Sequence, residues 1–287
     1  FHNSSALSYL LVTLGIFGSG YLVARWKDQL SGTEKFLYPA AIVAGFGGLV
    51  IAVPSQVEGA WMVLSWAALG LVATGFGLRT GLLEASLTGA GVFAIAALVA
   101  MVEESSVPVK DYTVLINSRL LAFGPLVTAI GTSAVAWYRW PSPAVKSLSR
   151  FVMIGLIAAA NWLALWFLSA EVIEGVPRGS VVDVSSSNEA SVVSLGLTVL
   201  WGTYGALVLA IGVIGGWRRA RLGGLALLAI PVIKLFLVDS FLLDAGFRVA
   251  SFMIMGLLLL AGGYLYQRYN EAFKEFFLEQ QTESKSA

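Results

Sequence analysis

Long apolar stretches with almost no charged residue recur along the chain, and they constrain the possible folds more than any other feature. A helix needs about 20 consecutive apolar residues to cross a bilayer. Lipid offers the backbone no hydrogen-bond partner, so a spanning segment must be a helix or part of a closed barrel. Barrel strands alternate apolar and polar residues over about 10 positions, and these stretches do not alternate. They predict an all-α, polytopic transmembrane helix bundle.

The amino-acid composition favours the same class. Hydrophobic residues make up 57% of the chain and charged residues only 12%, whereas soluble domains carry about 25% charged residues. This chain has too few charges to cover a soluble core.

The apolar stretches predict nine spans within one bundle that covers residues 1–266, followed by a cytoplasmic tail at 267–287. The spans lie at about residues 6–24, 36–53, 59–78, 82–102, 120–138, 151–169, 192–216, 222–238 and 247–266. Frequent glycines inside the spans favour close helix packing. In the tail, Tyr269, Phe273 and Phe276 share one helical face, which predicts an amphipathic helix on the membrane surface.

The basic residues outside the spans predict the orientation. With nine spans, most Lys and Arg residues fall on one side, and only Lys110, Arg119, Arg178 and Arg248 fall on the other. Cytoplasmic loops of membrane proteins carry the excess of Lys and Arg. We therefore expect the N-terminus outside and the C-terminus in the cytoplasm.

The strongest candidate for a functional polar site is formed by Lys234, Asp239, Asp244 and Arg248. Ionisable residues inside spans are costly and therefore point to function, and Lys234 lies inside the eighth span, after Pro231. In a regular α-helix Asp239 would lie about 140° around the axis from Lys234, so a direct pair does not follow. The four residues could form a substrate or ion site at the outer mouth. Alternatively, Lys234 extends toward the interface and the network joins the last two spans.

Two further polar residues have both a structural and a functional reading. Glu84 begins the fourth span, where the helix dipole favours a carboxylate, close to Arg79; a proton relay is the functional alternative. Asn161 is the most central polar residue of the sixth span, where it can bond a neighbouring helix or a substrate.

The residue types that are missing limit the chemistry. The chain has no cysteine, and its single histidine is His2, so a histidine base or ligand within the bundle is not available. We expect no cofactor and no metal, and no motif identifies an enzyme. The net charge of +1 argues against nucleic acid as a partner. Membrane lipids are the expected partners, with other membrane-protein subunits as an option.

Several C-terminal segments resemble a known family. They are KLFLVD at 234–239, RVASF at 248–252, GLLLL at 256–260 and YLYQ at 264–267; LINSR at 115–119 and the helix at 194–212 fit less specifically. Together they resemble a bacterial family of predicted membrane proteins, domain of unknown function 2339. The resemblance implies a many-spanning protein of the bacterial inner membrane with no established activity. It adds Asn117 and Arg119 to Lys234, Asp239 and Arg248 as family-pattern positions.

The sequence also leads to expectations about the length of the polypeptide and about its function. Members of that family are usually longer, and the chain begins with Phe1, so we expect a processed product or a segment of a longer polypeptide. The favoured function is a non-enzymatic scaffold or accessory subunit of a membrane complex. The alternative is a transporter or flippase for an envelope lipid, glycan or small anion, held by Lys234 and Arg248.

Overall fold

The structure is a computed structural model that describes residues 18, 34–104, 106–140, 146–179 and 188–286. All regular elements in these ranges are helical, which confirms the predicted all-α class. The chain divides into two compact units, Phe1–Phe167 and Leu168–Ala287.

Eight helices form the described part of the chain. They are α1 (Glu34–Ala52), α2 (Ala60–Thr80), α3 (Leu83–Glu103), α4 (Ser118–Arg139), α5 (Lys146–Gly175), α6 (Glu189–Ile214), α7 (Arg218–Lys234) and α8 (Ala245–Ser286). Short 3-10 turns lie at Val53–Ser55 and Val109–Asp111, and α7 continues into a π-helical turn at Leu235–Asp239 and a last helical turn at Ser240–Leu242.

Among the residues that the structure describes, seven helical segments are long and apolar enough to cross a membrane. They are Ala60–Thr80, Leu83–Glu103, Ser118–Arg139, Leu148–Gly175, Glu189–Ile214, Ala220–Asp239 and Ala245–Tyr264. These correspond to the last seven of the nine predicted spans. The second predicted span falls on α1, whose shorter apolar segment is Ile42–Ala52. The first, 6–24, lies outside the described residues, so the count of nine and the orientation stay predictions.

In the first unit, α2 and α3 form a tightly packed antiparallel pair. The chain reverses through Gly81, whose φ of 73° is left-handed and suits glycine. A Cβ on Gly77 would lie 2.4 Å from the backbone nitrogen of Ser86, and one on Gly89 would lie 2.6 Å from the carbonyl oxygen of Gly70. The glycines therefore let the two backbones touch.

The remaining helices of this unit pack around that pair. Ile42 and Phe46 of α1 join Ala73, Leu82 and Ala85 in one buried cluster. Helix α4 packs against α2. Its Phe123 also stacks on Trp166 of α5, with ring centroids 4.9 Å apart.

In the second unit, α6 and α7 form another antiparallel pair with a seam of glycines. A Cβ on Gly224 would lie 2.5 Å from the backbone nitrogen of Leu209, and one on Gly212 would lie 2.5 Å from that of Arg221. Farther along, a Cβ on Gly205 would lie 2.9 Å from the backbone nitrogen of Leu228. Small residues thus have the predicted role in helix packing between Gly205 and Gly212 of α6.

Helix α8 packs on α6 and runs parallel to it. A Cβ on Gly202 would lie 3.1 Å from Cε of Met255, and one on Gly262 would lie 3.5 Å from Cδ2 of Leu209. The contacts therefore advance together along both helices. The helix of α8 continues to Ser286; the amphipathic character of the predicted tail stays a prediction, because its side chains lie outside the described positions.

Candidate functional site

The eighth predicted span departs from α-helical geometry at its polar end. Pro231 has no N–H to donate to the preceding turn. The turn that follows, Leu235–Asp239, is π-helical, and the amide of Ser240 donates to the carbonyl of Leu235. In a π-turn, residues five apart lie nearly above each other, and such turns are frequent at functional sites. Asp239 thereby comes to the face of the helix that carries Lys234.

Lys234 and Asp239 form a direct ion pair, with Nζ 2.7 Å from Oδ1. The α-helical expectation of about 140° between them fails because the π-turn adds a residue to the turn. Two hydroxyl residues of α6, Ser194 and Thr198, complete the group. We call these four residues the Asp239 cluster.

The Asp239 cluster is closed by hydrogen bonds among its own members. Lys234 Nζ also lies 2.8 Å from Ser194 Oγ, 3.0 Å from Thr198 Oγ1 and 3.1 Å from the carbonyl oxygen of Ser194. Ser194 Oγ donates to Asp239 Oδ1 at 2.7 Å. Thr198 Oγ1 lies 2.8 Å from Asp239 Oδ2.

Because Lys234 and Asp239 are largely buried, their charges must be balanced by these internal hydrogen bonds. The side chain of Asp239 is fully buried and that of Lys234 is 14% exposed, and charge is costly to bury unless it is paired and hydrogen-bonded. An ammonium has three N–H donors, and more than three oxygens surround this one. Both carboxylate oxygens have donors as well. The cluster neutralises its charge internally and joins α6 to the end of α7.

The other two members of the predicted outer network lie apart from this cluster. Arg248 donates from Nη2 to the carbonyl oxygen of Leu243 at 3.1 Å, and its backbone amide bonds the carbonyl of Asp244. Among the described residues, no ion pair joins Arg248 or Asp244 to Lys234 or Asp239. The structure thus pairs two of the four predicted residues.

Asn117 and Arg119, the two family-pattern positions of the first unit, organise the start of α4. Asn117 is the N-cap, and its side-chain oxygen accepts from the amide of Leu120 at 3.2 Å. Arg119 is fully buried, and its Nε donates to the carbonyl oxygen of Glu104 at 3.3 Å. A cation is unfavourable at a helix N-terminus. The guanidinium of Arg119, however, lies at the C-terminal end of α3, where the dipole of α3 favours positive charge.

Replacing Arg119 by methionine tests this arrangement. We expect the free energy of unfolding in detergent to fall by about 1.5–3 kcal/mol, the range for a hydrogen bond to a charged group, because the buried carbonyl of Glu104 loses its donor. Chemical denaturation of the purified variant measures the change. Lys110→Met is the matched control, since Lys110 lies exposed in the same connection. Equal effects of the two substitutions would contradict the assignment.

Glu84 and Asn161 lie in helices α3 and α5. Glu84 lies in the first turn of α3, as predicted, but no ion pair joins it to Arg79 within the described ranges. The amide of Asn161 donates to the carbonyl of Ile157 in its own helix at 2.8 Å.

Sequence reasoning missed Ser194, Thr198 and Glu104. Ser194 and Thr198 are one helical turn apart in an apolar span, so their shared face was a usable signal. Glu104 contributes its backbone carbonyl to Arg119, which no side-chain pattern reveals. In the part of the chain that the structure describes, no three His, Asp or Glu side chains come together as metal ligands.

Comparison with known protein families gives a match over most of the chain. The family described as predicted membrane protein, DUF2339, matches residues 82–269. This range includes the Asp239 cluster, the residues Asn117 and Arg119, and six of the seven candidate spans. No curated protein and no solved structure shows significant similarity.

Proposed function

We propose that this chain, which belongs to the DUF2339 family of predicted membrane proteins, is a multi-pass protein of the bacterial inner membrane that acts as a non-enzymatic scaffold or accessory subunit of a membrane complex. The observation that carries the proposal is the closure of the Asp239 cluster. A transport or catalytic site must offer charge or hydrogen-bonding groups to its ligand. The charged groups of Lys234 and Asp239 instead bind each other and the hydroxyl groups of Ser194 and Thr198.

A satisfied buried polar network makes a structure rigid and specifies its packing. Rigidity is what a scaffold requires of its own helices. The helix pairs α2–α3 and α6–α7 have the same character, since their glycines bring the backbones into contact. The Asp239 cluster and the glycines of these two helix pairs thus serve internal packing.

The lateral surface also supports a role in assembly. The spans Leu148–Gly175 and Ala245–Tyr264 are only 17% buried within the chain. Large side chains extend from them, with Phe151 74% exposed, Trp162 63% exposed and Leu260 73% exposed. These surfaces are available to lipid tails or to the helices of another subunit.

The double variant Lys234→Met/Asp239→Leu tests the proposal. Replacing a buried ion pair by apolar residues of similar volume is often neutral or stabilising, so the variant should accumulate in the membrane as the wild type does. If the cluster serves packing alone, the variant should also migrate with the same apparent mass as the wild type in native gels of mildly solubilised membranes. That mass should exceed the mass of one chain in its detergent micelle.

Two results would contradict the scaffold proposal. The first is a wild-type protein that runs as a single chain from its native membranes. The second is a double variant that accumulates normally but no longer supports growth or assembly, because a purely structural charge pair would not be needed once its volume is filled.

The alternative, a transporter or flippase for an anionic envelope compound, is favoured by the interrupted helix. Membrane transporters often place substrate sites at breaks in spanning helices, and Lys234 lies directly before the π-turn. In this case Lys234 would have to leave Asp239 to bind an anion, with Arg248 as a second cation. The double variant would then accumulate normally and lose anion-stimulated flux in proteoliposomes.

A further inference from the structure

The oxygen atoms around Lys234 have the chemistry of a cation site. We call them the oxygen cage: the carbonyl oxygen and Oγ of Ser194, Oγ1 of Thr198 and Oδ1 of Asp239. All lie within 3.1 Å of Lys234 Nζ. Carboxylate, carbonyl and hydroxyl oxygens are the groups that bind hard cations in proteins. We propose that the oxygen cage is a monovalent-cation site and that the ammonium of Lys234 is its resident cation.

The charge of the cage selects a monovalent ion. Asp239 supplies one negative charge, and the oxygens of Ser194 and Thr198 are neutral. A single positive charge therefore leaves the buried group neutral, whereas a divalent ion would leave an excess charge in a low-dielectric region. Mg²⁺ also prefers octahedral geometry and retains several waters, for which a cage closed by two packed helices offers little room.

A further buried hydroxyl lies at the same level of the helix bundle. Ser251 of α8 is fully buried, and its Oγ has no hydrogen-bond partner among the described residues. Met255 packs against Gly202, and Gly262 packs against Leu209, so α8 and α6 run in parallel with a constant alignment. One helical turn before Met255 and Gly202, Ser251 of α8 lies at the same height along the pair as Thr198 of α6. In the proposed site, this buried hydroxyl would be the nearest candidate on α8 for a further oxygen ligand.

The proposal explains why a lysine lies within an apolar span. A tethered ammonium holds the cage together without any free ion, so the packing of α6 against the π-turn does not depend on the surrounding salt. If the ammonium is removed and its volume left open, Asp239 becomes a buried charge without a partner. A free monovalent cation would then restore the neutral group. This inference is independent of the scaffold function, because it concerns what the cage binds.

The test uses Lys234→Ala, which removes the ammonium and opens its space, in detergent with choline chloride as the background salt. We expect a lower melting temperature than that of the wild type, and a saturable rise on adding NaCl or KCl at constant ionic strength, since a ligand that binds only the folded state stabilises it by mass action. The wild type should show no such rise. Lys234→Met, which fills the space with an apolar side chain, should also show none.

A second variant uses the absence of cysteine from the chain. Lys234→Cys introduces a single thiol, and modification with aminoethyl methanethiosulfonate adds an ammonium to it through a disulfide, with methanesulfinate as the leaving group. The modified protein should recover wild-type thermal stability and lose its response to Na⁺ and K⁺. Modification with the neutral ethyl reagent should do neither.

Three results with purified protein would overturn the proposal. They are equal melting temperatures of Lys234→Ala in Na⁺, K⁺ and choline, a response of the wild type equal to that of the variant, and recovery of the cysteine variant with the neutral reagent. Loss of both the alanine and cysteine variants from cells that supply Na⁺ and K⁺, while Lys234→Met/Asp239→Leu accumulates, would overturn it as well, because the cage would then have failed to hold an available cation.

Discussion

Asp239→Leu is expected to lower the free energy of unfolding by about 3–5 kcal/mol, the range found when one partner of a buried ion pair is removed. The substitution leaves the ammonium of Lys234 in a region that is largely closed to water, with only neutral oxygens around it. It also removes the acceptor of the hydroxyl groups of Ser194 and Thr198. Denaturant unfolding of the purified protein in detergent measures the loss.

A double-mutant cycle distinguishes the loss of a pair from the loss of a single group. Lys234→Met should be destabilising by itself, because it leaves the carboxylate of Asp239 buried without its cation. Combining it with Asp239→Leu should restore most of the stability, so the two effects should be strongly non-additive, as expected for residues in direct contact. The control is Asp244→Leu, since Asp244 is an exposed carboxylate that follows the same helix. Additive effects of Lys234→Met and Asp239→Leu would show that the pair is not coupled.

The spans could be predicted from sequence because the signal is local and strong. A stretch such as Leu83–Glu103 has a mean hydropathy of 2.1, and lipid leaves its backbone no alternative to a helix. Lys234 could be identified in the same way, as a charged residue within an apolar span. Hydropathy indicates which segments lie in the membrane, and it therefore also shows which charged residues lie there.

The partners of that charge could not be predicted in the same way. Their identification required the angle between Lys234 and Asp239, and a regular helix gives the wrong angle. The π-turn that corrects it is stabilised by contacts with Ser194 and Thr198, which lie on another helix. A local rule does not contain such a contact. Arg119 is a similar case, because its burial depends on the position of the carbonyl of Glu104.

Glycine content shows the same division between what sequence predicts and what it leaves open. Frequent glycines in the spans predicted close helix packing, and the packed pairs agree. The sequence did not indicate which glycine of a neighbouring pair faces the partner helix. Gly223 and Gly224 are adjacent in α7, yet a Cβ on Gly223 would meet nothing within 4 Å, and one on Gly224 would meet the backbone of Leu209.

This pair of glycines provides the second large prediction. Gly224→Val should destabilise the α6–α7 pair by about 3 kcal/mol or more, at or above the upper end for overpacking a well-packed site. The reason is that the added Cβ would lie 2.5 Å from the nitrogen and 2.6 Å from the Cα of Leu209. Backbone atoms of a helix cannot move aside as a flexible side chain can, so the helices must separate. Thermal unfolding in detergent and the amount of folded protein in the membrane measure the effect.

Gly223→Val is the matched control, because it makes the same change of residue in the same helix on a face with open space. Both substitutions alter intrinsic helix propensity by the same amount, so the difference between them isolates the contact with Leu209. Separation of α6 from α7 would also draw Ser194 and Thr198 away from Asp239, since these hydroxyls lie on α6 and the carboxylate lies in the π-turn that continues α7. In a Lys234→Met/Asp239→Leu background, Gly224→Val should therefore lose only the part of its effect that comes from disturbing the charge pair, and it should keep the part that comes from the clash with the backbone of Leu209. Equal stabilities of the two valine variants would mean that the glycine seam does not hold these helices together.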